Sequence, residues 1–189
     1  TNYMKKYIIG IDEGTTSCRS VLYDITKNEI VDICSRSFKS IYPNKGWVEQ
    51  DAENIYKLQL ETIKELVNKV NEKNIICMGI ANQRETIVAW NKKTKKPIYN
   101  AIVWQCRRTA EYIKTLPLNI VNKIKEKTGL IADAYFSASK IKWILENVPL
   151  AEKLLNEDNL CVGTMDSFLA YKLTGKFVTD VTNANRTML

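Results

Sequence analysis

The sequence has 189 residues, 45% hydrophobic and 26% charged, a balance that supports a packed core and excludes wholesale disorder. It nowhere approaches the roughly 20 consecutive apolar residues of a membrane helix, and no basic leader followed by an apolar run points to secretion. Histidine is absent, which removes Ser-His-Asp triads, Cys-His pairs and histidine-ligated metals. The net charge of +7 comes from scattered lysines, without the aromatic-interleaved stripe that nucleic-acid binding needs.

By length this is one ordinary domain, or one and a fraction. Thr1-Asn2-Tyr3 ahead of Met4 reads as a cloning remnant, and the motif-like polar stretch ending at Leu189 suggests a truncated domain over 4–189. Cys18, Cys34, Cys77, Cys106 and Cys161 form no CxxC pair and mostly sit in apolar segments. They read as reduced, buried thiols of a cytosolic protein.

The chain opens with Tyr7-Ile8-Ile9-Gly10-Ile11-Asp12, an apolar run ending in a carboxylate, followed by the turn-rich Glu13-Gly14-Thr15-Thr16-Ser17. Residues 18–25 form a second strand with Val21 and Tyr23 on one face, and about 30–38 a third, so the opening is a β-meander. A loop over 39–50 leads to Asp51, placed as the N-cap of an amphipathic helix over 52–72. Ile75–Ala81 reads as a buried strand, and 86–91 as another. The basic turn Lys92-Lys93-Thr94-Lys95-Lys96 reads as a solvated tip. A short strand near Ala101–Trp104 precedes helices at about 106–116, 118–128 and 138–147. A short apolar run at Leu160–Gly163 and a helix over 165–173 follow. The order predicts an α/β domain with a mixed sheet.

Four clusters carry possible chemistry. In Asp12-x-Gly14-Thr15-Thr16-Ser17-x-Arg19, Asp12 can hold a hydrated Mg²⁺, Gly14 admits an anion to backbone N–H groups, and three hydroxyls and an arginine add donors for phosphate. It is no P-loop, since GxxxxGK[ST] is absent, and a polar turn capped by Asp and Thr accounts for the same residues. Asn82-Gln83-Arg84-Glu85 lies where a strand ends, the usual place for ligands in open α/β sheets. Its Arg and Glu offer the mixed donors and acceptors a polyol needs, or form a structural ion pair. Trp104, before Gln105-Cys106-Arg107-Arg108, can pack on polyol carbons or in the core. Tyr135 precedes a helix on which Lys140 and Trp143 lie one turn apart. Its hydroxyl either enters a cleft or is satisfied within the packing.

Taken in this order, the clusters resemble the FGGY family of carbohydrate kinases. The resemblance rests on YIIGIDEGTTSCRSVLYD (7–24), IYPNKGWVEQD (41–51), GIANQRETIVAW (79–90), KPIYNAIVWQCRRTAE (96–111), TGLIADAYFSASKIKWILEN (128–147) and VTDVTNANRTML (178–189). Segments 79–90 and 96–111 are similar to those of the members that phosphorylate glycerol. The resemblance implies a ribonuclease-H-like domain of the actin and hexokinase type, with helices on the faces of a mixed sheet opened by an antiparallel meander. It implies transfer of phosphoryl from ATP to glycerol, giving ADP and sn-glycerol 3-phosphate, with Mg²⁺, in the cytoplasm. Carried over by position, Thr15, Thr16, Ser17 and Arg19 would contact the nucleotide phosphates and Asp12 would hold Mg²⁺ through water. Arg84, Glu85 and Tyr135 would bond glycerol hydroxyls, and Trp104 would pack on its carbons.

Departures from the family pattern are Glu13 where Gln is usual, a negative charge near the phosphates whose effect on nucleotide binding or metal preference the sequence leaves open, Asn185 for Ser, and Ala81 for Thr. The family's catalytic base, in a GDQQA-like segment, and its adenine site are expected downstream. No residue here is assigned as base, and this portion alone is expected to be inactive. The full-length protein is expected to be a homodimer or homotetramer, with no nucleic-acid or membrane partner. Two alternatives stand: another FGGY kinase, for xylulose or gluconate, and a non-catalytic actin-like nucleotide-binding module. The latter would have no reason to carry NQRE followed by WQCRR.

Overall fold

The structure, a computed structural model, describes residues 6–189. The expected remnant at 1–3 and the start at Met4 lie outside the described residues. Two compact units divide the chain: residues up to Lys39 with Glu53–Gln83, and Ser40–Ala52 with Arg84–Leu189.

In the first unit the predicted meander is present as β1 (Tyr7–Glu13), β2 (Ser17–Asp24) and β3 (Glu29–Ser37). Helix α1 (Ala52–Val67) and a 3₁₀ turn at Glu72–Asn74 then lead into β5 (Ile75–Asn82), after the short β4 (Glu49–Gln50) of the second unit. The sheet order is β3-β2-β1-β5, antiparallel except for the parallel β1–β5 pair. The period-2 alternation of strands puts Ile9, Ile11, Cys18 and Leu22 on a fully buried face, and Ile55, Ile63 and Leu66 of α1 are buried with them. Polar groups are paired inside this layer: Ser20 Oγ and Thr62 Oγ1 lie 2.8 Å apart, and Gln59 Nε2 donates to Arg19 O at 2.9 Å. Helix α1 stops five residues before the predicted end, where Asn71 accepts from Lys73 N at 3.0 Å and starts the 3₁₀ turn.

One expectation fails here. Ile75–Ala81 forms a strand, but not a buried one. Ile76 is 43% and Met78 44% exposed, because β5 pairs only with β1 and forms the sheet's edge among the described residues. Cys77 is exposed with it, whereas the other four cysteines are buried.

The second unit holds a separate antiparallel sheet, β4-β7-β6-β8, with β6 (Ile87–Asn91), β7 (Ala101–Ile102) and β8 (Leu160–Thr164). The expected mixed sheet is that of the first unit, and the second unit's sheet is antiparallel. Short helices α2 (Ala110–Lys114) and α3 (Leu118–Thr128) precede α4 (Ser137–Asn147) and α5 (Pro149–Asn156). The chain ends with α6 (Met165–Thr174) and α7 (Val181–Ala184). Ile87, Ala89, Ile102, Val103, Ile144 and Ala151 form the core between sheet and helices. Trp90 packs beside it against Phe168, Tyr171 and Phe177 with ring centroids 5.3–5.5 Å apart. No helix of the described residues is long and apolar enough to cross a membrane.

Candidate functional site

The first unit carries the phosphate-type hairpin. Gly14 N donates to Ser17 O at 2.9 Å, which closes the β1–β2 turn and leaves Thr15 and Thr16 at its tip. A Cβ on Gly14 would stand 3.2 Å from Ser17 O, so the turn is tight at that point. Thr16 is exposed, and its carbonyl is occupied by Phe38 N at 3.1 Å. Asp12 and Arg19 are cross-strand partners on the outward face, with Arg19 Nε 3.2 Å from Asp12 Oδ2 and both side chains about half exposed. An exposed pair of this kind is worth about 0–1 kcal/mol, so either member can exchange its partner for an anion or a cation. No group of three or more Cys, Asp or Glu suited to a metal exists among the described residues. A single exposed carboxylate still fits Mg²⁺, which keeps several waters and is usually held by one or two carboxylates together with substrate phosphates.

Glu13 faces away from the hairpin's outer surface. Strand parity turns it inward with Ile9 and Ile11, and it is fully buried. Its Oε2 accepts from Gln83 Nε2 at 3.0 Å, while Oε1 has no hydrogen-bond partner among the described residues. Burial pushes the carboxyl up to about 8; the Gln83 amide opposes the rise and neighbouring Asp12 adds to it. Burial thus favours the uncharged form of a side chain that points into the core with Ile9 and Ile11. Gln83 also donates to Gly14 O at 3.2 Å. It thereby ties the hairpin to the end of β5, where Glu13 and Asn82 are register partners.

The second unit gathers the acceptor-type residues. Arg84 is exposed, and Glu85 beside it is buried at a φ of +66°. A non-glycine residue in this left-handed region is held there by its surroundings. Ser137 Oγ donates to Glu85 O at 3.1 Å, and Arg186 Nε donates to Glu85 Oε1 at 2.6 Å. The Arg84–Glu85 pair is thus not a local ion pair, since Glu85 takes a partner 101 residues away. Trp104 is half-buried, its backbone N donating to Thr86 Oγ1 at 3.2 Å and its ring edge-on to Tyr135 with centroids 5.5 Å apart. It belongs neither to the fully buried core nor to open surface.

The loops bearing Trp104 and Tyr135 are fastened together. Arg107 reaches Asp133 with two nitrogens, at 2.6 and 3.4 Å, and Asp133 Oδ1 accepts from Tyr135 N at 2.7 Å. Behind Trp104, the Arg108 guanidinium lies 3.9 Å from the Trp47 ring centroid and 4.4 Å from that of Trp143, and donates to buried Glu49 at 2.6 Å. Lys140 and Trp143 serve different neighbours despite their shared face. Lys140 is fully buried, and its Nζ donates to the carbonyls of Ala134, Tyr135 and Phe136 at 2.6, 2.7 and 3.0 Å. Thr15, Thr16, Ser17, Arg19 and Asp12 therefore lie together in the first unit, and Arg84, Glu85, Trp104 and Tyr135 in the second. Roles for Arg186, Arg107 and Asp133 were not foreseen. All three lie in segments that carry the family resemblance, and that was their one signal.

Known proteins share this sequence and fold. The family model "FGGY family of carbohydrate kinases, N-terminal domain" matches residues 7–189, and the chain belongs to that family. It is 53% identical to a glycerol kinase of Mycoplasmoides gallisepticum, over 98% of this chain and 37% of that protein. It is 50% identical to a glycerol kinase of Desulforamulus reducens, over 98% of this chain and 38% of that one. Among solved structures, the Plasmodium falciparum glycerol kinase with ADP superposes with a TM-score of 0.84 at 36% identity, over 97% of this chain and 37% of its own. The chain thus spans less than two-fifths of the length of the relatives it matches. The fold is the α/β, actin- and hexokinase-like one of the FGGY kinases.

Proposed function

We propose that these residues are the N-terminal portion of an ATP-dependent glycerol kinase. The observation that carries the reading is the set in the second unit: an exposed Arg84 guanidinium and the Glu85 carboxylate, with the Trp104–Tyr135 aromatic pair in the same unit. Forked donors, an acceptor and an apolar wall match the hydroxyls and carbons of a small polyol. The 53% identity to a glycerol kinase supports glycerol as that polyol.

In this reading Thr15, Thr16, Ser17 and Arg19 bind and orient the nucleotide phosphates. Asp12 would hold Mg²⁺ through water, and the ion would supply charge neutralisation at the transferring phosphoryl group. Arg84, Glu85 and Tyr135 orient the acceptor so that one hydroxyl oxygen faces the γ-phosphorus. A bond forms between that oxygen and phosphorus as the bond to the β,γ-bridging oxygen breaks, releasing ADP. The hydroxyl proton passes to a base that we place downstream of these residues, so the 189-residue chain alone is expected to turn over no glycerol. ADP release by the chain alone, above background in a coupled assay, would refute that placement.

The full-length protein, assayed with ATP and Mg²⁺ against glycerol, xylulose and gluconate, is expected to prefer glycerol. A preference for either sugar overturns the acceptor assignment, and ATP binding without any phosphoryl transfer favours an actin-like module. In the same protein Arg84→Ala is expected to raise the glycerol KM about 10- to 150-fold, the loss of a charge-assisted hydrogen bond worth roughly 1.5–3 kcal/mol. An unchanged KM removes Arg84 from the site.

A further inference from the structure

We infer that Arg186 is a positioning residue of the acceptor site, one that presets the Glu85 carboxylate and braces the Tyr135 loop. The inference rests on the acceptor reading above and extends it to a residue that reading leaves without a role.

Three observations converge on it. First, Arg186 Nε meets Glu85 Oε1 at 2.6 Å, with the Glu85 side chain 3% exposed and that of Arg186 26% exposed. The pair is largely removed from water, where a charge-assisted bond is strong and directional. It occupies one carboxylate oxygen and fixes the plane of the other. Second, the guanidinium carbon lies 4.9 Å from the Phe136 ring centroid and 5.7 Å from that of Tyr135. One side chain therefore touches both elements that would grip a polyol. Third, the turn bearing Arg186 is itself rigidly built. Asp180 caps α7 by accepting from Asn183 N at 2.9 Å, and Thr187 O accepts from Ala138 N at 2.8 Å in the first turn of α4. That same turn holds Glu85 O through Ser137 at 3.1 Å.

The backbone of Glu85 explains why such a brace is needed. At a φ of +66° this residue is in a region that side chains disfavour. Without ties at its carbonyl and its carboxylate it would relax and move the carboxylate away from the acceptor. Arg186 supplies the second tie. In this role it acts through Glu85, which its Nε engages, and through the aromatic rings against which its guanidinium lies.

The test compares the full-length protein with Arg186→Met and Arg186→Lys variants, measuring kcat and the KM values for glycerol and for ATP. Misplacement of an oriented group by about an ångström costs up to about 100-fold. Arg186→Met is therefore expected to raise the glycerol KM about 10- to 100-fold, with the ATP KM moved less than about twofold and Arg186→Lys restoring part of the loss. In a Glu85→Gln background, Arg186→Met should add little further loss, because both substitutions break the same link. A glycerol KM within about twofold of the parent overturns the role of Arg186 alone, as does an equal rise in both KM values, which would mark a nucleotide contact. Full additivity with Glu85→Gln also overturns it. If Arg186→Met does not fold, the Arg186→Lys variant and the Glu85→Gln cycle built on it decide the matter. A parent protein that phosphorylates no polyol overturns the acceptor reading itself, and this inference with it.

Discussion

Lys140→Met is expected to lower the thermal midpoint of the chain by about 10 °C, the equivalent of roughly 3 kcal/mol for a chain of this size. The substitution keeps an unbranched side chain, one atom shorter, and removes its three donors. The carbonyls of Ala134, Tyr135 and Phe136 now share one ammonium within 3.0 Å. Each buried acceptor left without a donor costs about 1–3 kcal/mol, offset in part by no longer burying a charge. The net loss should appear locally as well as globally, as faster amide exchange around Tyr135 than in the first unit. A midpoint within about 3 °C of the parent would show that the three carbonyls find other donors.

The pH chosen matters for that measurement. Burial pulls the ammonium down to about 7, against an ordinary value near 10.5, while three carbonyl acceptors use all three protons of the charged form. Between those values the unfolded chain binds the proton more tightly than the folded one, so the Lys140 contribution favours folding increasingly as pH rises from 7 to 10.5. A scan at about pH 6 keeps the lysine charged in both states and isolates its hydrogen bonds.

The opening meander was legible because each strand alternates: Ile9 and Ile11 in β1 and Cys18 and Leu22 in β2 all turn inward. Arg84, Glu85, Trp104 and Tyr135 were legible as a set only through the family resemblance, since no period or spacing links positions so far apart in sequence. β5 was misread for a physical reason. A run such as Ile75-Ile76-Cys77-Met78 reports that residues are apolar, not which of its faces is covered, and here α1 is hydrogen-bonded to β2 instead. The two-residue strands β4 and β7 are too short to show a period at all. The Arg186–Glu85 link spans 101 residues, and opposite charges at that distance predict nothing until the chain folds. Glu13 is the opposite case. Its parity with Ile9 and Ile11 was available in the sequence and already pointed the side chain inward.

That parity leads to the second large effect: Glu13→Gln is expected to stabilise the chain above neutral pH and to leave it unchanged in acid. With the folded carboxyl raised from 4.5 to about 8, the folded state holds its proton more tightly than the unfolded state between those two values. The Glu13 contribution is thus fully present below pH 4.5 and is lost progressively as pH rises through 8. Glutamine has nearly the same shape and carries no charge at any pH, so it escapes this loss. Each tenfold difference in proton affinity between the folded and unfolded chains is worth about 1.4 kcal/mol, so the variant should gain roughly 3–5 kcal/mol over the parent at about pH 9, and almost nothing at about pH 4.5. Urea midpoints of both proteins at about pH 4.5, 7 and 9 read this difference directly. The Lys140 contribution, which has the opposite sign from pH 7 upward, is common to both and cancels. Parallel pH profiles for the two proteins would mean that Glu13 is ionised in the fold and that its buried Oε1 finds a counter-charge. Under the nucleotide reading proposed for the β1–β2 hairpin, the parent's nucleotide affinity at about pH 7 is expected within about twofold of the Gln variant's, because an uncharged carboxyl turned inward adds no repulsion to phosphates.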